Sequence, residues 1–340
     1  MMNGEESAGA PLRRTLRKAA GARSRPRSRV DLLKDYSILG FLLALFVFLA
    51  ATSDAFLTTQ NLNNVLDQSV AVGLLACAGG MVIMGGGFDL SAGAIYVLSA
   101  VLAAKVSNAT NAEIGIAAGV LSGMALGCVN AIICTIGRIN AFVGTLATSI
   151  FFSGAATAIT GGGFTYIKDQ SFGRIATKFF GISVPIVIFV LFALVCSFLL
   201  NKSIFGRHLF AAGDNKEAAA LSGVSVHMTL ARAYVLSGIA SGLAGVVVAS
   251  RSLAVASTSG GGNNVLFAAL AAILVGGVSM LGGEGSIWRI LAGVLILAFV
   301  ANGFNLNGVD PLYQQMMSGA LILLAVAADV WIKEAKGNGQ

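Results

Sequence analysis

Long runs of apolar residues, separated by short polar or glycine-rich breaks, make up most of this 340-residue chain. A helix needs about 20 apolar residues to cross a hydrocarbon core about 30 Å thick. The pattern therefore predicts an all-α, polytopic membrane protein with about ten transmembrane helices, some of them short or broken. The apolar runs lie at residues 36–52, 68–84, 91–106, 113–136, 141–160, 182–200, 229–250, 265–281, 287–302 and 313–332.

The composition of the chain excludes a soluble protein. Hydrophobic residues make up 56% of it and charged residues only 11%, whereas a soluble domain carries about 25% charged residues. The four cysteines lie in apolar runs and form no C-x-x-C pair, so the sequence indicates neither a disulfide framework nor a zinc site.

The distribution of Lys and Arg predicts the orientation in the membrane. If the loops alternate between the two sides, seventeen of the 22 Lys and Arg residues fall on the side of the N-terminus. Because cytoplasmic loops are enriched in Lys and Arg, both termini of this multi-pass protein of the inner or plasma membrane are predicted to be cytoplasmic. The predicted domains are a basic, disordered cytoplasmic tail at 1–34, a transmembrane domain at 35–333 with a cytoplasmic loop at 201–228, and a cytoplasmic C-terminal tail at 334–340.

The basic N-terminal tail allows two interpretations. It could bind nucleic acid, or it could serve as a topology signal that contacts anionic lipid. The second is favoured, because the tail precedes an apolar run and no folded, aromatic-bearing segment accompanies it. We therefore expect membrane lipid as a partner and no nucleic acid.

Glycines recur at every third or fourth position in two of the apolar runs. Small residues at this spacing let helix backbones approach closely in lipid, so these glycines are predicted to form packing seams. No stretch has the phosphate-loop spacing G-x-x-x-x-G-K-[ST], and the chain is not expected to hydrolyse ATP. The glycines in question are Gly115, Gly119, Gly123 and Gly127 in one run and Gly238, Gly242 and Gly245 in the other.

The only long polar stretch besides the tail is the loop at 201–228. Within it, residues 213–224 predict a short helix closed at both ends. Asp214 is predicted to cap its N-terminus, with Glu217 reaching back in a capping box, and Gly223 suits the left-handed position that ends it. Such a rigid, capped element can insert into a groove of a partner.

A second candidate segment, residues 85–93, reads Gly-Gly-Gly-Phe-Asp-Leu-Ser-Ala-Gly. Three consecutive glycines break a helix, and broken helices in a membrane occur where the freed backbone groups are buried in protein or line a water-filled cavity. Asp89 has two interpretations, since a carboxylate near the membrane is costly unless it is paired or hydrated. It belongs to a substrate path or gate, or it caps the next helix in a cytoplasmic turn with help from Ser91. The turn is favoured, because the topology puts these residues at the inner surface.

These segments resemble a known family. Glu217-Ala218-Ala219 followed by Gly223 matches the EAA-x-x-x-G signature of the coupling loop in ABC-importer permeases, and residues 206–226 resemble the sugar permeases of the ribose, xylose and arabinose type. Residues 85–93 look like the G-x-D-L-S-x-G element of the same family. Residues 274–286 and 302–309 resemble its glycine-rich turn and its Asn-rich outer loop, and the whole resemblance covers residues 40–332.

The resemblance implies two sets of functional residues. Those expected to couple the chain to an ATPase are Arg207, Gly213, Asp214, Asn215, Glu217, Ala218, Ala219 and Gly223. Those expected to line the substrate path are Asp89, Ser91, Asn130, Phe142, Thr145, Asn302 and Asn305.

The resemblance also implies a function and a set of partners. The chain would be the permease subunit of an ATP-driven importer for a monosaccharide or sugar-like solute, and it would form the translocation path as a dimer. It would be no enzyme and bind no cofactor, because ATP is used by the partner subunit. The expected partners are an ABC ATPase subunit, a second permease copy or a related permease, and an extracytoplasmic solute-binding protein.

The sequence supports two other function classes less well. An ion-coupled secondary transporter of a small polar solute is the alternative, but such proteins need carboxylates or broken helices inside the membrane. Apart from Asp89, the acidic residues lie at the ends of the apolar runs or in loops. A membrane-embedded enzyme would need a paired catalytic constellation, and the sequence suggests none.

Overall fold

The computed structural model describes residues 29–179, 181–257 and 259–310, together with positions 313, 316, 319, 320 and 323. These residues are mostly helical. The helices are α1 Arg29–Thr52, α2 Thr59–Met84, α3 Ala92–Ala109, α4 Ala112–Ala131, α5 Ala141–Thr160, α6 Val184–Lys202, α7 Ile204–Asp214, α8 Lys216–Leu221, α9 Val226–Ser252, α10 Ser259–Val275 and α11 Ile287–Leu306. A π-helical turn, Ile132–Ile136, continues α4, and a 3-10 helix spans Gln170–Ala176.

Seven of these helices are long and apolar enough to span a membrane, namely α2, α3, α4 with its π turn, α5, α6, α9 and α11. Two shorter apolar helices, Ser37–Thr52 within α1 and Gly261–Val275 within α10, fall on two more of the predicted runs. The tenth run, 313–332, lies outside the described residues except for isolated positions. The expected all-α membrane fold is confirmed in this form, and the number of ten spans stays a prediction.

The starts of two helices differ from the sequence prediction. α1 begins at Arg29, so the last six residues of the tail predicted at 1–34 are helical, because extending an existing helix is easier than nucleating one. α2 begins at Thr59 and not at 68, since the Thr58 side chain accepts a hydrogen bond from the Asn61 amide and caps a polar first part. The other parts of both terminal tails lie outside the described residues.

The two glycine-bearing helices α4 and α9 pack backbone against backbone. A Cβ added at Gly123 would lie 2.5 Å from the Gly238 carbonyl oxygen and 2.7 Å from the Gly242 Cα. One added at Gly127 would lie 2.7 Å from the Tyr234 carbonyl oxygen. Only glycine leaves room for this approach, so the predicted seam is confirmed.

Short strands and turns join the helices at the end of the bundle predicted to be outer. Strand β1 (Phe164–Tyr166) pairs antiparallel with β4 (Ala254–Ala256), and β2 (Lys178–Phe179) pairs with β3 (Ile182–Ser183). Asp169 accepts hydrogen bonds from the Ser171 hydroxyl and amide, and from the Ala112 amide at the start of α4. These hydrogen bonds hold the pKa of the Asp169 carboxyl below its usual value.

The opposite end, called the inner end below, gathers the loops predicted to be cytoplasmic. The polar stretch at 201–228 is mostly helical, because α6 continues to Lys202 and α7 and α8 follow. α7 begins at a Ser203 cap, whose hydroxyl accepts from the Gly206 amide. Its Gly206 fits closely against the backbone of Leu200, so α7 folds back tightly against the end of α6.

Candidate coupling site and buried polar network

α8 is a six-residue helix with a defined start and end. Asn215, and not Asp214, is its N-cap, because the Asn215 side chain accepts from the Ala218 amide at 2.9 Å while Asp214 is the last residue of α7. The predicted capping by Asp214 is therefore wrong. The predicted end is confirmed: Gly223 has a φ of 83°, and the Val224 amide donates to the Ala219 carbonyl at 3.0 Å.

The surface of α8 divides into a packed side and a free side. Ala219 is buried, whereas Glu217 and Ala218 are exposed and Leu221 is 91% exposed. Leu221 is the most exposed of the large hydrophobic side chains among the described residues. The free side of α8 is therefore available to a partner.

The C-terminal end of α7 meets two glycine-rich loops at the inner end. These are residues 85–91, between α2 and α3, and residues 276–286, between α10 and α11. A Cβ on Gly213 would overlap the Met84 carbonyl oxygen and lie 2.5 Å from the Gly283 amide nitrogen. The Gly283 amide itself donates to the Met84 carbonyl at 2.9 Å. We call these packed backbones, together with Gly86 and Gly282, the glycine junction.

A lysine ties α8 to the same junction. The Lys216 Nζ donates to the Gly86 carbonyl at 3.2 Å, across 130 residues of sequence. Gly86 has a φ of 76° and Gly282 a φ of 86°, which are left-handed conformations that favour glycine. α8 is therefore joined to loop 85–91 by a side chain and, through α7, by direct backbone contact.

Loop 85–91 carries Asp89, which lies at the centre of a buried polar network. Its Oδ1 accepts from the Ser91 amide at 3.0 Å and from the Ser91 hydroxyl at 2.7 Å. Its Oδ2 accepts from the Ser237 hydroxyl of α9 at 2.7 Å. Burial raises the pKa of the Asp89 carboxyl, and these donors oppose that shift because they stabilise its charged form. Asp89 has no cationic partner among the described residues.

The network continues into α4 and α5. The Asn130 amide donates to the Ser91 hydroxyl, and the Thr148 hydroxyl donates to the Asn130 carbonyl oxygen at 2.7 Å. Thr145, one turn before Thr148, accepts from the Leu90 amide at 3.1 Å. The structure thus brings together four of the seven predicted path residues, all of them buried.

The other three predicted path residues lie elsewhere. Asn302 of α11 exchanges hydrogen bonds with Asn61 of α2 at 2.7 and 3.0 Å, at the outer end. Asn305 is exposed, one turn further along α11. Phe142 is 52% exposed at the inner end, with its ring 6.0 Å from that of Phe88. Within one copy of the chain, the seven residues therefore do not form a single lining.

The family described as "Branched-chain amino acid transport system / permease component" matches residues 61–326. The chain belongs to this permease family. The ribose import permease protein RbsC of Escherichia coli (strain K12) is 34% identical to the permease, with 88% of this chain and 94% of the relative covered. The ribose import permease protein RbsC of Bacillus subtilis (strain 168) is 38% identical, with 86% and 92% covered.

A third relative is named for another sugar. The L-arabinose ABC transporter permease protein AraH of Azospirillum brasilense is 36% identical, with 92% of each chain covered. No solved structure matches the permease. These relatives confirm the resemblance expected from the sequence, and with the seven apolar helices they show that the permease is a multi-pass membrane protein and a transport component.

Sequence reasoning missed three residues of the permease that the structure places at the site. Ser237 and Thr148 are each one of several hydroxyl residues in an apolar helix, and Lys216 contributed to the sequence prediction only through its charge. Nothing local in the sequence distinguishes them, because their partners are 148, 18 and 130 residues away. Polar residues facing the interior of a membrane helix bundle were the available signal.

The network predicts how the permease responds to changes at Asp89. Asp89→Ala should cost about 3 kcal/mol or more of unfolding free energy, since it leaves buried donors without an acceptor. Asp89→Asn should cost about 1–2 kcal/mol, because the Ser237 hydroxyl can turn to accept from the new amide. Thermal unfolding in detergent measures both, with Ser237→Ala as the matched single-donor control.

Uptake per folded molecule separates the two interpretations of Asp89. If Asp89 is a structural cap and crosslink, Asp89→Asn lowers stability while uptake per folded molecule stays within about twofold of the wild type. Lost uptake at unchanged stability would instead show that Asp89 acts in transport itself, either by lining the substrate path or by passing movement between the helices.

Proposed function

We propose that the chain is the transmembrane permease subunit of an ATP-driven importer for a monosaccharide or sugar-like solute. Its relatives are permease proteins named for ribose, L-arabinose and D-allose, which favours a sugar over an amino acid. The observation that carries the coupling role is the exposed helix α8, joined through Lys216 and Gly213 to loop 85–91 and the Asp89 network. The ion-coupled alternative has no such support among the relatives.

The proposed mechanism begins at the free side of α8. A separate ATPase subunit docks on Glu217, Ala218 and Leu221 and displaces α8 when its own subunits close on ATP. Because the glycine junction is packed backbone against backbone, α7 and loop 85–91 move with α8. Asp89 then passes the displacement to α9 through Ser237, and to α4 and α5 through Asn130 and Thr148.

The rest of the assembly follows from the same proposal. The chain has no phosphate-binding loop of the form G-x-x-x-x-G-K-[ST], so ATP is hydrolysed by the partner. Two permease copies, or this chain and a related one, enclose the path, and a solute-binding protein delivers the solute on the outer side. Ten spans with both termini in the cytoplasm fit the loops gathered at the inner end.

A charge reversal on the free side of α8 tests this function. Glu217→Lys should leave insertion and thermal stability unchanged, because Glu217 is exposed, yet reduce ATP-dependent uptake to less than about a tenth. The measurement is uptake into vesicles that contain the permease and its co-purified ATPase. Lys202→Glu, at the end of α6, is the matched charge-reversal control.

Two results would contradict the proposal. Full uptake and full recovery of the ATPase with Glu217→Lys would remove the coupling role of α8. Uptake that runs on an ion gradient in vesicles without any ATPase would favour the secondary transporter.

A further inference from the structure

A cavity of about 720 Å³ opens at the inner end, between loop 85–91, the segment after the π turn and the first turns of α9. A sphere of that volume is about 11 Å across, and small-ligand sites range from about 300 to 1,000 Å³. The cavity lies beside the coupling contact, because Gly86 and Lys216 both line it. It is distinct from the Asp89 network, whose residues do not line it.

The side chains around the cavity include two cations and no anion. Arg138 and Lys216 line it together with the imidazole of His227, and no Asp or Glu does. In the described part of the chain, the Arg138 and His227 side chains have neither a hydrogen-bond nor an ion-pair partner. Lys216 makes the single hydrogen bond to Gly86 and keeps further donor capacity. Basic groups left unpartnered around one cavity favour an anionic ligand.

The backbone around Arg138 is unusual in two ways. Arg138 has a φ of 54°, a left-handed conformation that a residue with a Cβ seldom adopts. It directly follows the π turn Ile132–Ile136 and Gly137. Left-handed non-glycine residues and π turns are both concentrated at binding sites. The fold therefore holds the backbone of Arg138 in a strained conformation at a position where its side chain lines the cavity.

The remaining lining suits the non-ionic part of a small polar ligand. The rings of Phe88 and Phe142 lie 6.0 Å apart with an interplanar angle of 49°. Asn140 uses its side-chain oxygen to accept from the Phe142 and Val143 amides, which leaves its NH₂ group as a donor. Aromatic faces and an amide donor can contact the CH groups and hydroxyls of a sugar ring.

We propose that this cavity binds a small phosphomonoester, of the sugar phosphate class, and that its occupancy slows transport. Arg138, His227 and Lys216 hold the phosphate, and Phe142 and Asn140 contact the sugar. A ligand held between Arg138, on the segment after α4, and Lys216, on α8, opposes the movement of α8 against the bundle. The sugar part of this inference rests on the proposed function: a sugar whose hydroxyl accepts the phosphoryl group of ATP, with ADP as the leaving group, becomes an anion of this class.

Binding can be tested without transport. Ribose 5-phosphate is the probe, titrated onto the full-length chain in phosphatidylcholine nanodiscs, with ribose and inorganic phosphate as comparators. We expect saturable binding, with a Kd at least about tenfold lower than that of either comparator. Arg138→Gln and His227→Gln should each weaken it by about tenfold to a hundredfold, as expected for a lost charge-assisted hydrogen bond.

The controls make each outcome decisive. Arg232→Gln, an exposed arginine of α9 that does not line the cavity, should bind like the wild type. His227→Gln serves if Arg138→Gln fails to fold. No saturable binding, equal binding of inorganic phosphate and ribose 5-phosphate, or full affinity in both variants would overturn the proposal. Loss of binding in nanodiscs that contain phosphatidylglycerol would also overturn it and assign the cavity to a lipid headgroup.

The proposed slowing of transport by the bound ligand is tested by a separate measurement of uptake. Vesicles that contain the permease and its ATPase, loaded inside with ribose 5-phosphate, should take up solute more slowly than unloaded vesicles, and Arg138→Gln should remove that difference. If no sugar is transported but ribose 5-phosphate still binds, the proposed function fails and the site stands. If sugar is transported and ribose 5-phosphate neither binds nor slows uptake, only this inference fails.

Discussion

Replacement of Gly213 by alanine should reduce ATP-driven uptake to less than about a tenth of the wild-type rate, equivalent to about 1.4 kcal/mol. The added methyl group would overlap the Met84 carbonyl oxygen and lie 2.5 Å from the Gly283 amide nitrogen. Both neighbours are backbone atoms that cannot rotate away, so α7 must move off the two glycine-rich loops. Uptake into vesicles, with ATP hydrolysis recorded on the same samples, measures the effect.

In this variant, uptake and ATP hydrolysis should no longer change together. ATP hydrolysis should persist, because the free side of α8 is unaltered, while uptake is lost because loop 85–91 no longer follows α8. Gly40→Ala in α1 is the control, since no heavy atom lies within 4 Å of a Cβ built there. Wild-type uptake by Gly213→Ala would show that coupling does not pass through the glycine junction.

Replacement of Gly123 by leucine should lower the unfolding free energy by about 3 kcal/mol or more. A Cβ at this position would already lie 2.5 Å from the Gly238 carbonyl oxygen and 2.7 Å from the Gly242 Cα. The side chain would force α4 and α9 apart along the whole seam, so close van der Waals contact would be lost at neighbouring glycines as well. Thermal unfolding of the purified chain in detergent measures the loss.

The matched control for this variant is Gly154→Leu in α5. Nothing lies within 4 Å of a Cβ at Gly154, and leucine favours a helix over glycine by about 1 kcal/mol. The control should therefore be as stable as the wild type or slightly more stable. Equal stability of the Gly123 and Gly154 variants would contradict the close packing of α4 against α9.

Much of the fold could be predicted from the sequence, because a lipid-spanning helix has a simple apolar signature. Helix ends were predicted less well. The start of α2 was missed because Asn61 and its neighbours are polar, yet Asn61 is held by Asn302, which is 241 residues away. A hydropathy pattern contains no information on such a partner.

The candidate site was predicted in part for a similar reason. Gly223 ends α8 as expected, since a left-handed glycine is a local feature. The cap was assigned to Asp214 because Glu217 follows it at the spacing of a capping box, whereas Asn215 is the cap because α7 continues through Asp214. Asp89, Ser91, Asn130 and Thr145 were each named from the resemblance or the motif, but their meeting with Ser237 and Thr148 depends on packing of distant helices.

Most residues of the glycine junction are glycines, and this affects how completely the junction transmits a displacement from α8 to loop 85–91. A contact between long side chains can adjust by changing rotamers, which dissipates a small movement before it reaches the next element. The glycines of the junction have no χ angles; they are Gly86, Gly213, Gly282 and Gly283. A shift of α8 by a few tenths of an ångström therefore cannot be absorbed by a change of rotamer there. Loop 85–91 should therefore move in response to displacements of α8 that are too small to be transmitted through a contact between long side chains.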